Sequence, residues 1–187
     1  MAKNLKTPRL ILRSPQERDL EQLKAFEKRN KKHLSPWESI TIAPPTRLKN
    51  WSLDTLEGRS VRFFIFSKEA PEKLIGMCNF TQIFRGAFQA CYLGYKIDKD
   101  YEGQGLMFEA LEQAIRYIFK VEKLHRIMAA YVPTNTRSGA VLDRLGFVVE
   151  GYAKNYLLIN DKWEDHILTA LSFEEWEKSQ KKVANAR

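Results

Sequence analysis

Apolar residues recur at the helical period between residues 107 and 121, where Met107, Ala110, Leu111, Ala114, Ile115, Ile118 and Val121 fall on one stripe. Such a stripe predicts an amphipathic helix with that face in the core. Near the start of the chain, residues 9–13 read as a strand. Ser14-Pro15-Gln16-Glu17 then combines a capping box with a proline at the first helical position. The helix that follows is expected to reach about Asn30 and to bury Leu20, Leu23 and Phe26. Next comes a proline-punctuated loop holding Ser35-Pro36-Trp37-Glu38, Pro44 and Pro45, then a short helix to about Gly58. Residues 61–67 and 74–81 read as strands joined by a turn around Pro71, and residues 88–97 as a further strand.

Beyond the long amphipathic helix, residues 126–132 read as a strand ended by Pro133. A short helix over residues 137–145 follows, capped by Asn135 or Thr136 and stopped by Gly146-Phe147. Residues 148–159 and 163–171 form a predicted hairpin around Asn160-Asp161-Lys162. Ser172-Phe173-Glu174-Glu175 is a second capping box, opening a terminal helix. The order is strand, two helices, three strands, helix, strand, helix, two strands. It predicts a mixed α/β fold of the α+β type, with the long helix packed on a sheet that is parallel only in part. The 187 residues suit one domain with a sizeable core, and no linker divides them.

Composition narrows the setting. A hydrophobic share of 44% with 12% aromatics is that of a folded globule, and no apolar run approaches the roughly 20 residues of a membrane span. The first residues lack an apolar signal core, so a cytoplasmic protein without a membrane partner is expected. Cys78 and Cys91 sit in strand-like runs without metal-ligand spacing, which reads as buried structural thiols and no metal. The net charge of +8 suits an anionic cofactor, an acidic substrate or a ribonucleoprotein surface. Its densest cluster is Lys24, Lys28, Arg29, Lys31, Lys32 and His33. No aromatic interleaving marks a nucleic-acid platform there, so the cluster also fits a solvated helix face, and no DNA partner is expected.

The most informative stretch is Tyr101-Glu102-Gly103-Gln104-Gly105-Leu106-Met107-Phe108-Glu109-Ala110-Leu111, between a strand and the long helix. Two glycines there allow a tight turn that leaves successive amide N–H groups pointing into open space. With the positive end of the helix dipole, those donors make a pocket for a phosphate or pyrophosphate.

This order with this loop resembles the GNAT superfamily of acetyl-CoA-dependent N-acetyltransferases. The family's Gln/Arg-x-x-Gly-x-Gly/Ala pattern falls here on Glu102, Gly105 and Met107, so the middle glycine matches, while Gly103 fills a variable position. Thr7-Pro8-Arg9-Leu10-Ile11-Leu12-Arg13 resembles the opening strand of the RimJ/RimL branch. So, on the RimJ side of that branch, do Leu124-His125-Arg126-Ile127-Met128-Ala129, Arg137-Ser138-Gly139, Leu145-Gly146-Phe147, Glu150-Gly151-Tyr152-Ala153-Lys154, Tyr156-Leu157-Leu158-Ile159, Trp163 and Asp165-His166. The resemblance covers residues 7–171. It implies a single GNAT domain over 1–187, with about seven strands in one mixed, partly splayed sheet and helices on both faces. It also implies an acyltransferase using acetyl-CoA on a protein N-terminal α-amine, that of alanine in a small-subunit ribosomal protein, with ribosome contact possible.

The same resemblance implies the site. The pantetheine arm of the cofactor would pair with Leu93, Gly94, Tyr95, Lys96 and Ile97, and Gly94 would let the thioester come close, although a bulge or packing would equally explain that glycine. Glu102, Gly103, Gln104, Gly105, Leu106, Met107 and Phe108 form the pyrophosphate loop, where the Glu102 carboxylate has to turn to solvent. Asn135 and Ser138 would lie near the cofactor, Asn135 also serving as a helix cap and the Ser138 hydroxyl lying near sulfur. Family members carry a glutamate where this chain has Tyr92, leaving Glu38 and Glu150 as candidate bases and Tyr92 as a shaper of the acceptor slot. Trp37, Tyr152 and Trp163 would wall that slot or belong to the core. Other acceptors, a polyamine or an aminoglycoside, and a ribosome-assembly role without catalysis, remain open at this stage.

Overall fold

The computed structural model describes residues 4–38 and 42–185, with side chains as far as Lys181. Eight strands form one sheet: β1 (Asn4–Lys6), β2 (Leu10–Arg13), β3 (Val61–Ser67), β4 (Leu74–Phe84), β5 (Ala90–Ile97), β6 (Arg126–Tyr131), β7 (Val148–Ile159) and β8 (Lys162–Ser172). Their spatial order is β1-β2-β3-β4-β5-β6-β8-β7, and among the described residues only β5 and β6 run parallel. The α-helices among the described residues are α1 (Leu20–Leu34), α2 (Pro44–Leu56), α3 (Leu106–Lys120), α4 (Thr136–Arg144) and α5 (Phe173–Asn185). Eight strands replace the expected seven or so because residues 4–6 add an edge strand antiparallel to β2, with Leu5 opposite Leu12.

The two-residue period of a strand explains how one sheet carries helices on both sides. Along β3, Val61, Phe63 and Ile65 enter the core beneath α3 and α5, while Phe64 and Phe66 enter the core beneath α1 and α2. The α3 stripe buries Met107, Ala110, Leu111, Ala114, Ile115 and Ile118 as expected and adds Leu106 and Phe119. Val121 departs from it: the helix has ended, and its side chain is 58% exposed.

The first helix starts later than the proline suggests. Gln16 is the cap of a 3-10 turn (Glu17–Asp19) that leads into α1, and Asp19 closes the box by accepting from the Gln16 amide at 2.8 Å. Asp19 is buried because both of its oxygens also accept from the Arg13 guanidinium, at 2.6 and 2.7 Å. The helix also runs on past Asn30 to Leu34, where Asn30 is buried with its amide donating to the Phe26 carbonyl.

The other punctuation behaves as read. Asn160 and Asp161 form the two-residue β7–β8 turn with φ of 50° and 63°, the primed geometry that matches strand twist. After α4, Phe147 N–H donates to the Leu142 carbonyl and Gly146 N–H to Asp143, the paired bonds of a glycine stop. Ser172 and Glu175 bond reciprocally at the start of α5.

Cys78 and Cys91 are free and buried, and burial pushes both thiols up, Cys91 to about 12. Thiolate is the reactive form. We therefore expect iodoacetamide at pH 8 to leave both cysteines unmodified in the native protein and to alkylate both in urea, as read by intact mass.

Candidate active site

The parallel pairing of β5 with β6 is short. It runs Ala90–Arg126, Cys91–Ile127 and Tyr92–Met128 and then stops, although β5 continues to Ile97 and β6 to Tyr131. The strands diverge there, leaving Leu93, Gly94, Tyr95, Lys96 and Ile97 with a backbone edge that lacks a β6 partner. A cavity of about 400 Å³ opens at the divergence, lined by Leu93, Gly94, Tyr95 and Lys96 of β5, Ala130 and Tyr131 of β6, and Asn135 and Ser138 of α4. Trp37, Glu38, Ile42, Arg47 and Trp51 close it from the α1–α2 side, and Asn79 and His166 come from β4 and β8. A Cβ built on Gly94 meets nothing within 4 Å, so this glycine keeps the wall open and relieves no packing clash. The hairpin tip supports the rim: Asn160 Nδ2 donates to the Ser35 carbonyl at 2.6 Å, two residues before Trp37.

At the end of β5 a second 3-10 turn (Lys99–Tyr101) leads into the glycine loop. Asp98 caps it, accepting from the Asp100 amide at 3.2 Å and from Arg29. Burial alone would raise the Asp98 carboxyl, but the Arg29 guanidinium, the Asp100 amide and Asn30 outweigh it and hold the group below the usual carboxylate range. Gly103 and Gly105 then take φ of 72° and 73°, the left-handed region that side-chain-bearing residues avoid.

Among the described residues, no acceptor meets the N–H groups of Gly103 through Phe108, and Gly105 caps α3 without a side-chain bond. Arg9 helps aim them. Its Nη1 donates to the Gln104 carbonyl at 3.0 Å, and in a trans peptide this turns the Gly105 N–H the opposite way. Arg9 is itself held by Glu109, whose carboxylate also accepts from Thr7 Oγ1 at 2.5 Å and the Arg9 amide at 2.9 Å.

The expectation that the Glu102 carboxylate turns to solvent is not met. That carboxylate pairs with Arg137 at the start of α4 and with His33 Nε2 at 3.1 Å. A charge that would repel an anion is therefore matched by a guanidinium, and this pairing was not legible in the local sequence. Arg144 stacks 3.9 Å above the Phe108 ring, a further cation beside the loop.

Asn135 caps α4 by accepting from the Ser138 amide at 3.2 Å, and both residues line the cavity. The Tyr95 hydroxyl donates to the Ser138 carbonyl at 3.0 Å, and its oxygen lies 2.7 Å from Ser138 Oγ. Burial pushes the Tyr95 phenol up to about 12, which keeps its proton in place. Gly139 lets this packing form, since a Cβ there would stand 2.8 Å from the Tyr131 ring.

Other expected site residues fall differently. Glu38 lines the cavity, but both oxygens accept from Lys96 Nζ, at 2.8 and 2.7 Å, so the carboxylate is matched by an ammonium. Glu150 lies outside the cavity. The β7–β8 register slips beside it, between Val149 and Gly151, and its exposed carboxylate pairs with Arg126. Tyr92 sits at the closed end of the gap and interacts through its hydroxyl with Tyr156. Trp37 lines the cavity, whereas Tyr152 and Trp163 do not. They are 56% and 57% exposed on the outer hairpin, and the Tyr152 hydroxyl donates to Asp165 at 2.6 Å. Since β7 is the sheet edge beyond β8, its side chains lie across a strand from the gap. Sequence reading missed Tyr131, Asn79 and His166, which sheet order brings to the cavity, and Arg47 and Trp51, which α2 brings there.

Set beside known proteins, residues 9–148 match the acetyltransferase (GNAT) domain family. The ribosomal protein uS5-alanine N-acetyltransferase of Escherichia coli K12 is 43% identical over 179 residues, covering 92% of this chain and 92% of that protein. Ribosomal-protein-S5-alanine acetyltransferase from Vibrio fischeri superposes with a TM-score of 0.86 at 36% identity, covering 93% of this chain and 98% of that one. Mycobacterium smegmatis RimJ in complex with CoA-disulfide gives 0.84 at 28% identity, covering 100% of this chain and 94% of that one.

Proposed function

Since this chain belongs to the acetyltransferase (GNAT) family and is an acetyl-CoA-dependent N-acetyltransferase, we propose that it acetylates an N-terminal α-amine, that of alanine on a small-subunit ribosomal protein. The observation that carries this reading is the charge of the cavity. Its charged lining is Arg47 and Lys96 against Glu38, and Glu38 is already paired with Lys96. A polyamine or an aminoglycoside is a polycation and needs an acidic cleft, whereas a single α-amine on a peptide does not. The names of the E. coli and Vibrio fischeri relatives point to the same acceptor. The basic face of α1 supports contact with the ribosome or its precursor, and the proposal places the whole chain in the cytoplasm as one acetyltransferase unit.

Bound acetyl-CoA supplies an acetyl thioester. The chain's own groups fit it on three observations: the free edge of Leu93–Ile97, the open space beside Gly94, and the unmatched N–H groups of Gly103 through Phe108. In this reading the β5 edge pairs with the pantetheine amides, the loop amides hold the pyrophosphate, and an amide within residues 93–95 polarises the thioester carbonyl. Ser138 Oγ, held by Tyr95, lies near the sulfur in this reading. Among peptide amines the α-amine is the favoured nucleophile because its reference pKa is about 8 against about 10.4 for lysine, so roughly a tenth is neutral at pH 7.

A synthetic peptide with N-terminal alanine and an internal lysine, incubated with the protein and acetyl-CoA, is expected to gain one acetyl group on the α-amine, as located by fragmentation mass spectrometry. Acetylation of the lysine alone, or of spermidine but not the peptide, overturns the acceptor assignment.

A further inference from the structure

Acetyl transfer to an amine forms a C–N bond, breaks a C–S bond, and moves one proton from nitrogen to sulfur. In the reading proposed above, Ser138 and Tyr95 stand on the sulfur side. On the nitrogen side the two carboxylates expected from sequence are engaged elsewhere, Glu38 with Lys96 and Glu150 with Arg126.

Strand register identifies what faces the acceptor instead. Cross-strand partners share a face of the sheet, as do residues two apart along a strand. Asn79 pairs with Gly94 across β4–β5, Tyr92 with Met128 across β5–β6, and Met128 with Ala170 across β6–β8. Asn79, Gly94 and His166 therefore share one face, with Asn79 and His166 on opposite sides of the gap. Both line the cavity.

Each presents an acceptor that lacks a donor. His166 is 3% exposed, and its Nδ1 lies 3.0 Å from the Glu164 carbonyl oxygen. A carbonyl only accepts, so Nδ1 carries a proton, and in the neutral ring Nε2 carries the lone pair. No hydrogen bond to Nε2 occurs among the described residues. Asn79 Oδ1 is buried and likewise without a donor. Buried acceptors in a merely structural role are normally satisfied. A buried Asn79 Oδ1 without a donor and an imidazole Nε2 without a protein partner, facing one cavity across the gap, suit a ligand that brings N–H groups, as an ammonium or amine nitrogen does.

We propose that Asn79 Oδ1 and His166 Nε2 receive the acceptor amine and that His166 takes the proton this nitrogen releases as the C–N bond forms. The inference rests on the acceptor site described above, and His166 would touch the reacting nitrogen. The titratable and charged groups around the imidazole leave it this role. From β7 the Tyr156 ring is 5.4 Å away, with its hydroxyl engaged by Tyr92. On β8, Glu164 is paired with Lys162, and from the opposite wall Glu38 and Lys96 are paired, as are Arg47 and Glu27.

The test uses the full chain, CoA and the alanine peptide. His166→Gln is expected to lower kcat at pH 7 by about 100- to 1000-fold, within the range of a positioned general base, with CoA affinity by calorimetry unchanged. On the acid limb the slope of log kcat/KM against pH should fall from about two, for base and amine together, to about one for the amine alone. Asn79→Leu should weaken peptide binding about tenfold with less effect on kcat. In the wild type, the ¹⁵N resonance of His166 Nε2 should shift on addition of the peptide but not of its N-acetylated form.

A His166→Gln enzyme with kcat within about twofold of wild type, or with an unchanged slope, overturns the proposal. If that variant fails to melt cooperatively, His166→Asn, which keeps a donor for the Glu164 carbonyl, is decisive by the same criteria. If the wild type ignores the alanine peptide and acetylates spermidine, the acceptor assignment fails, and the variants are then scored on spermidine. Lost turnover there keeps the role of His166, and full turnover removes it.

Discussion

Gly105→Val is expected to leave a folded protein that binds acetyl-CoA at least about a hundredfold more weakly. That is about 2.7 kcal/mol, the worth of one or two hydrogen bonds from backbone amides to a charged phosphate. Gly105 has φ of +73° and caps α3, and its amide is aimed by the bond from Arg9 to the Gln104 carbonyl. A β-branched residue is strained in that region by about 1–2 kcal/mol, and relieving the strain rotates the neighbouring peptides out of line. Space is not the obstacle, since an added Cβ would find only Arg9 Nη2, at 3.8 Å. Isothermal calorimetry measures the affinity and a thermal melt controls for folding. Unchanged affinity in a folded variant would show that these amides do not hold the diphosphate.

Phe63→Ala should cost about 3–5 kcal/mol of stability, a large part of the roughly 5–15 kcal/mol that holds a domain together. Phe63 is fully buried on β3 in the sheet interior, and its ring meets Tyr117 of α3 edge to face at 5.6 Å. Truncation opens a cavity between the sheet and the helix whose first turn carries the glycine loop. The urea midpoint should fall sharply with little change in slope. A loss below about 1 kcal/mol would mean that α3 can settle into the space, and that the loop does not depend on this contact. Activity assays of the variant belong well below its melting range, where the site is still assembled.

The reading of the site failed where long-range partners decide the outcome. Glu102 was expected to turn its carboxylate to solvent, yet its partner is 35 residues away on another helix. Glu38 was one of two candidate bases, yet Lys96, 58 residues on, occupies both of its oxygens. Tyr152 and Trp163 have the character of slot-lining aromatics, but β7 takes the sheet edge and carries Tyr152 outward, while Trp163 sits exposed near the hairpin tip. Asn79 and His166 show nothing locally that separates them from ordinary polar residues in strands. Only the sheet order β4-β5-β6-β8 brings them to one cavity.

By itself the sequence determined the α3 stripe, a cap at Asn135 or Thr136 and one at Ser172, the turn at Asn160-Asp161 and the glycine loop before α3. Each rests on bonds or backbone preferences spanning a few residues, so composition and spacing within that window suffice. The tertiary structure alone decided where β5 parts from β6, which charges neutralise one another and which side chains share the cavity. Those outcomes depend on elements far apart in the chain meeting across a sheet, and short windows of sequence carry no record of which strand becomes whose neighbour.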